Sequence, residues 1–290
     1  MSVICLISNP NDMALSPQLV QSIQKSIGGE INWLAQKIAC EIITPKSVDA
    51  IMITSEMLKD QPIDIALVPK DNRRKKLLIA DMDSTMINEE CIDELADALD
   101  IKSKVANITA KAMNGELDFG EALDTRVALL KGLSKSLIEE VRRERITLAS
   151  GGRALVQTMK AYGAHTALIS GGFTIFADYI AKRIGFDEAV ANELLFNGDL
   201  LTGTVGKPII DASAKLNRLN SLTKELNIEQ SQTLAVGDGA NDLPMIKAAG
   251  LGVALHAKPS VAAEAEVKIN HGDLTALLYL QGYGEEEIVR

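Results

Sequence analysis

The sequence predicts an α/β protein: a parallel-sheet core interrupted by an inserted helical cap and preceded by a small α+β domain. Three observations lead there. Short apolar runs at Leu77 to Ala80, His165 to Ile169, Thr233 to Val236 and Gly252 to Leu255 each stop at polar or glycine-rich loops and alternate with helical stretches. Residues 86 to about 148 carry mostly helical signals, broken at Gly115, Gly132 and Gly151, and they interrupt that alternation directly after its first strand. Residues 1 to 72 run through a β/α alternation of their own and end in the polar linker Pro69 to Lys75.

The N-terminal stretch reads as a strand at Ser2 to Ile7, a helix from Ser16 to Ile27, a strand or helix from Trp33 to Ile43, and a strand at Asp64 to Val68. Trp33 suits a core position. Within the larger part, Arg153 to Tyr162 and Phe173 to Ile184 read as helices, and Asp199 to Val205 as a hairpin.

Composition frames these elements. The chain has 290 residues, enough for one or two domains, and is 47% hydrophobic and 24% charged, so it can bury a sizeable core. The three cysteines, Cys5, Cys40 and Cys91, are scattered without metal spacing, which suits reduced thiols in a cytoplasmic protein. The apolar run Val3 to Ile7 is too short for a signal or a membrane span. A net charge of −9 argues against nucleic acid as a partner. It also repels anionic substrates at long range, so any phosphate site must reverse the potential locally.

The chemistry is concentrated at strand ends. Asp81 and Asp83 follow the run Leu77 to Ala80, where open α/β sheets place ligands. Alternate residues of an extended segment point the same way, so one carboxylate can act as nucleophile and the other as general acid and base. The plainer alternative is that Asp83 or Ser84 caps the next helix. A second acidic loop, Val236 to Asp242, follows another apolar run. Asp81 and Asp238 together make a Mg²⁺ site, because that ion prefers hard oxygen ligands and takes one or two carboxylates plus phosphate oxygens. A glycine-rich turn using Asp and Asn for left-handed backbone angles is the alternative for this loop. Between the two lie Ser170, Gly171 and Gly172, suited to a phosphate through a hydroxyl and backbone N–H groups, and Lys215, a point charge for a transferring group.

In this order, D-x-D-S-T, a strand-end Ser, a Lys and G-D-G-x-N-D resemble the haloacid dehalogenase (HAD) superfamily over residues 75 to 285. More narrowly, Glu90 to Glu94, Ala112 to Phe119 and Arg126-Val127 are similar to the substrate-side segments of the phosphoserine phosphatase family, bacterial serine-biosynthesis type. The resemblance implies a HAD-like, Rossmann-like core over residues 73–290, with the cap at about 86–148. Residues 1–72 resemble, by position and element order, the ACT-like modules that precede such phosphatases. The family pattern implies Asp81 as the nucleophile that becomes phosphorylated and Asp83 as acid and base. Metal ligands would be Asp81, the backbone carbonyl of Asp83, and Asp238, with Asp242 orienting the outer shell. Ser170, Gly171, Lys215 and Asn241 are expected around the phosphate. Glu90 and Arg126 are expected to read the amino and carboxylate groups of phosphoserine, and Met113 and Phe119 to close over it.

The cap can be checked by geometry. Residues 119 to 131 have an apolar repeat at Phe119, Leu123, Val127 and Leu130. Positions seven apart nearly coincide on a helix, so Arg126 lies on the same side as Phe119 and needs an anion there. A substrate carboxylate fits its fork; an ion pair with Glu94 or Asp118, or snorkelling, remains the alternative. His165, His256 and His271 have no company suited to catalysis, and no G-x-S-x-G elbow is present. The expectation is a Mg²⁺-dependent phosphomonoesterase acting on a small molecule, with no nucleic-acid or membrane partner and a homodimer left open. An enzyme on another phosphorylated amino acid such as homoserine phosphate, and a non-enzymatic amino-acid sensor, are the competing readings.

Overall fold

The chain begins with a β-α-β-β-α-β unit in the computed structural model. The structure describes residues 2–44, 47–113 and 117–290, with residues 47, 48 and 110–113 described by their backbone alone. The unit comprises β1 (Ser2–Ser8), α1 (Pro17–Ile27), β2 (Glu30–Ala35), β3 (Ala39–Thr44), α2 (Ser47–Met57) and β4 (Ile63–Pro69). Its sheet has the order β2-β3-β1-β4, with every neighbouring pair antiparallel. Ser16 caps α1, accepting the Leu19 N–H at 3.2 Å, and Pro17 occupies the first turn, where a missing N–H costs nothing. The ambiguous stretch Trp33 to Ile43 resolves into β2 and β3, turning where Lys37 takes a φ of 63°. The sequence reading had no counterpart for α2.

Alternation along β1 splits its side chains between two cores. Ile4 and Leu6 pack with Val20 and Ile23 of α1, whereas Val3, Cys5 and Ile7 belong to the main core that also holds Leu277 and Tyr283. The stretch expected as a linker is likewise built in. Arg73 pairs with the buried Glu41 of β3. One Arg74 guanidinium nitrogen donates to both Glu287 oxygens at 2.8 Å, and the group lies 4.2 Å from the Tyr283 ring centre. Lys75 reaches the Ser231 carbonyl at 2.7 Å.

The rest of the chain runs in order through β5 (Leu77–Ala80), α3 (Cys91–Asp97), α4 (Lys102–Met113), α5 (Phe119–Ala128), α6 (Lys135–Glu144), α7 (Gly152–Ala161), β6 (His165–Phe173) and α8 (Thr174–Ile184). It continues through β7 (Glu188–Asn192), β8 (Leu194–Asn197), β9 (Leu200–Val205), α9 (Ala212–Glu225), β10 (Thr233–Gly237), α10 (Leu243–Ala248), β11 (Leu251–Leu255), α11 (Pro259–Glu264), β12 (Val267–Ile269) and α12 (Ala276–Leu280). Six parallel strands form one sheet of order β12-β11-β10-β5-β6-β7. All four residues of β5 are fully buried: Leu77 and Ile79 pack with Leu219 and Leu222 of α9, Leu78 and Ala80 with the opposite layer. The chain steps outward from β5 to β6 and β7, then returns to lay β10 on the other side of β5. That reversal opens a crevice at the carboxyl ends of β5 and β10.

Helices α3 to α6 form the insertion after β5, and a bridge between Ile87 and Leu148 joins its two ends. Asp199 to Val205 is not a hairpin by itself; β9 pairs back onto β8, and Leu201 is bonded in both directions to the cap at Gly132 and Leu133, at 2.8 Å each. Gly132 and Gly151 have φ of 86° and 77°, while Gly115 lies outside the described residues. A chain of contacts links the N-terminal sheet to the cap's base. Asp64 on β4 is buried and accepts N–H groups of Asn270 and Gly272, both at 2.7 Å, and of His271. The same loop continues to Asp273, which takes the Ser150 hydroxyl at 2.7 Å, and the Ala149 N–H bonds the Met86 carbonyl at 3.0 Å. Among the described residues no helix is long and apolar enough to cross a membrane.

Candidate active site

The crevice gathers most of the residues singled out above. Asp81 leaves the end of β5, its own N–H still bonded to the Val236 carbonyl of β10 at 3.0 Å, and turns its side chain inward. Lys215 on α9, with no exposed surface, donates to Asp81 at 2.6 Å and to Asp242 at 2.7 Å. Asp242 also accepts the Gly239 N–H at 3.0 Å, and a Cβ on Gly237 would fall 2.3 Å from the Asp242 carboxyl carbon, so this turn requires glycine. Among the described residues Asp238 takes only the Thr85 hydroxyl, at 3.3 Å. Asp81, Asp238 and Asp242 present oxygens all within 4.8 Å of one another. With Lys215 as the buried cation among them, the set keeps an excess of negative charge on hard oxygen donors, which fits a divalent cation.

Burial and mutual repulsion shape their protonation. Burial, then Asp242, raises the Asp81 carboxyl against the opposing pull of Lys215. Asp238 is pushed up to about 6 by burial, Asp242 and Glu90. Asp83 is pushed up to about 7 by burial and the nearby Glu90 charge, and its buried Oδ1 has no hydrogen-bond partner among the described residues. Asp83 and Ser84 do not cap a helix: residues 83 to 86 form a turn closed by the Met86 N–H on the Met82 carbonyl at 2.8 Å, and α3 starts only after Glu90. Ser84 adopts a φ of 55° and donates its hydroxyl to Glu90 at 2.8 Å.

A cavity of about 680 Å³ opens above these carboxylates. Asp81, Asp83, Ser170, Gly171, Asp238 and Asn241 line it from the sheet, and Glu90, Phe119 and Arg126 from the cap. Phe119 begins α5 behind the N-cap Asp118 and meets Gly171 so closely that a Cβ there would lie 3.0 Å from its ring. Among the described residues the Arg126 guanidinium is tied only to the Ala122 carbonyl at 3.1 Å and the Thr109 hydroxyl at 3.4 Å. Neither expected acid partners it: Glu94 faces Arg145 at 3.6 Å, and Asp118 caps its own helix. The Ser170 hydroxyl accepts the Gly172 N–H at 2.9 Å, so that amide is already used. Lys215 lies behind Asp81 and does not line the cavity. Met113 ends α4, and its side chain lies outside the described residues.

Residues 78–247 match the model of the haloacid dehalogenase-like hydrolases. The phosphoserine phosphatase of Haemophilus influenzae is 44% identical over 223 residues, which span 76% of this chain and 71% of that protein. The chain belongs to the phosphoserine phosphatase family of HAD-like hydrolases. Its fold agrees with solved members. A probable phosphoserine phosphatase from Vibrio cholerae superposes with a TM-score of 0.81 at 31% identity, covering 99% of this chain and 88% of that one. A phosphoserine phosphatase solved as a phospho-aspartyl intermediate analogue gives a TM-score of 0.66 at 39% identity, over 71% of this chain and 98% of that one.

Three lining or supporting residues of this family member escaped the sequence reading. Thr109 touches Arg126 from α4. Asn192, buried at the end of β7, donates to the Gly171 carbonyl at 2.8 Å and accepts the Ile210 N–H at 2.8 Å, fixing the Ser170 turn against the approach to α9. Its only signal in the sequence is an amide closing the short apolar run Ala189 to Ala191. Lys258 lines the same cavity as Asp238 and Asn241. None of His165, His256 and His271 lines it.

Proposed function

We propose that this phosphatase hydrolyses O-phospho-L-serine to L-serine and inorganic phosphate, with Mg²⁺, as the last step of L-serine biosynthesis in the cytoplasm. The observation that carries the reading is the two-ended cavity. Asp81 and Asp83 stand at its floor, and at its cap side Arg126 has no carboxylate partner among the described residues, near Glu90. A zwitterionic amino acid bearing a phosphate matches that distribution: Arg126 forks onto the carboxylate, Glu90 takes the ammonium group, and the phosphate lies among Ser170, Gly171 and Asn241. Met113 and Phe119 close over the substrate.

The Asp81 carboxylate attacks phosphorus while the bond to the serine oxygen breaks, and protonated Asp83 gives that oxygen its proton. An Asp83 carboxyl at about 7 is well matched to this task, being populated in both forms near neutrality. Asp83, now a carboxylate, takes a proton from water, which attacks the aspartyl phosphate, releases phosphate and restores Asp81. Lys215 holds the Asp81 side chain in one orientation from behind. When bound, Mg²⁺ supplies positive charge against the phosphoryl oxygens; Asp81, Asp238 and the carbonyl of Asp83 would hold it, with Asp242 orienting its outer shell. We divide the chain into an ACT-like module at 1–72 and the phosphatase unit at 73–290, with the cap at about 86–148.

Phosphate release from phosphoserine, phosphohomoserine, a sugar phosphate, a nucleotide and p-nitrophenyl phosphate, each with Mg²⁺ or EDTA, tests this. Phosphoserine is expected to be preferred, with turnover abolished by EDTA and by Asp81→Asn. Arg126→Ala is expected to raise KM for phosphoserine about tenfold or more and to spare p-nitrophenyl phosphate. Equal losses on both esters would remove Arg126 from substrate recognition, and preference for another ester would discard the substrate.

A further inference from the structure

Among the described residues only two cations line the cavity, Arg126 at the cap side and Lys258 on the sheet side. Against them stand Asp81, Asp83, Glu90, Asp211 and Asp238. A phosphate monoester brings further negative charge into this acidic cleft, in a chain of net charge −9. Lys215 is enclosed behind Asp81, with both neighbouring carboxylates on its ammonium group, and is not part of the cavity wall.

Lys258 has the opposite character. It follows β11, the strand next to β10, and immediately precedes Pro259, which favours an extended backbone; its ψ is 147°. The segment behind it is anchored by Val261, packed with Ile246, Ala254 and Ala265. The side chain itself is exposed and enters no ion pair within 4 Å among the described residues. A lysine with a fixed root, a free head and a place on the wall of the cavity that Asp238 and Asn241 also line is available to a ligand, with no ion pair among the described residues to explain it.

We propose that Lys258 is a substrate-binding residue, offering its ammonium group to the phosphoryl oxygens from the side of the cavity away from Arg126. This rests on the phosphatase reading, though not on which alcohol carries the phosphate. At saturating Mg²⁺, Lys258→Ala is expected to raise KM for both phosphoserine and p-nitrophenyl phosphate, and Ki for inorganic phosphate, about tenfold, with kcat held within about twofold. Lys258→Arg should stay within about threefold of native, and the salt dependence of kcat/KM should flatten in the alanine variant. Loss of a positive charge from the cavity wall favours a metal cation in the cavity, so weakened Mg²⁺ binding would not mimic the result. KM and Ki within twofold of native, or a loss confined to kcat, would overturn the proposal. If the native enzyme prefers an ester other than phosphoserine, the substrate reading fails while the p-nitrophenyl phosphate and phosphate measurements still decide the role of Lys258.

Discussion

Asp83 and Asp238 are held in surroundings that disfavour their charged forms, with carboxyl values of about 7 and about 6 against an ordinary 3.8. Folding therefore favours their protonated states. Their contribution to stability is complete below about pH 4 and is lost as pH rises through about 6 and 7, because the unfolded chain releases those protons more readily. A divalent cation binds the deprotonated carboxylates and competes with protons for them. The expected outcome is that Mg²⁺ raises the melting temperature, relative to EDTA, more at about pH 7.5 than at about pH 5. An equal rise at both pH values would show that these carboxylates do not carry the metal-linked stability. At this scale the sequence was readable where residue types are rare in combination, as in the two aspartate loops. It was not readable at Lys258, since one exposed lysine resembles any other until the cavity wall is drawn, nor at Thr109 and Asn192, which act through other residues.

The contact between the cap and the sheet turn is narrow: Phe119 at the head of α5 rests on Gly171 at the end of β6. A methyl group at position 171 has to displace the ring, so Gly171→Ala is expected to lower kcat/KM for phosphoserine about tenfold by holding the cap ajar. Phe119→Leu in the same chain should recover part of that loss, giving a coupling in the double-mutant cycle; strictly additive losses would mean that the two residues act separately. The elements themselves were readable in proportion to the simplicity of their burial. β5 and β10 are covered on both faces and announce themselves as unbroken apolar runs. β2 and β3 mix polar and apolar residues because one strand is an edge and the other carries the buried Glu41, so no single period emerges. In α2, apolar residues surround the axis, with Met52, Ile53 and Met57 exposed and Ala50 buried, and no stripe marks it as a helix.

For the molecule as a whole, the N-terminal sheet has a core of its own on one face, holding Ile4, Leu6, Val20 and Ile23, and shares the main core on the other. Val3, Cys5 and Ile7 face the same apolar interior as Leu277 and Tyr283, so calorimetry of the full chain should give one unfolding transition, and two separated transitions would show independent units. Residues 73–290 alone would present to water the surface that β1 now covers, so activity lost on truncation would say nothing about regulation. The Asp64 clasp adds a mechanical consequence. β4 grips the loop at 270–272, that loop holds Ser150 through Asp273, and Ala149 is bonded to Met86, in the turn that follows Asp83. The base of the cap is therefore tethered to the N-terminal sheet by a short series of hydrogen bonds that does not include the catalytic carboxylates. Cutting the tether with Asp64→Ala should quicken hydrogen exchange at the amides of 270–274 and of 147–150 together; quickening confined to the first group would mean that the relay ends at the loop.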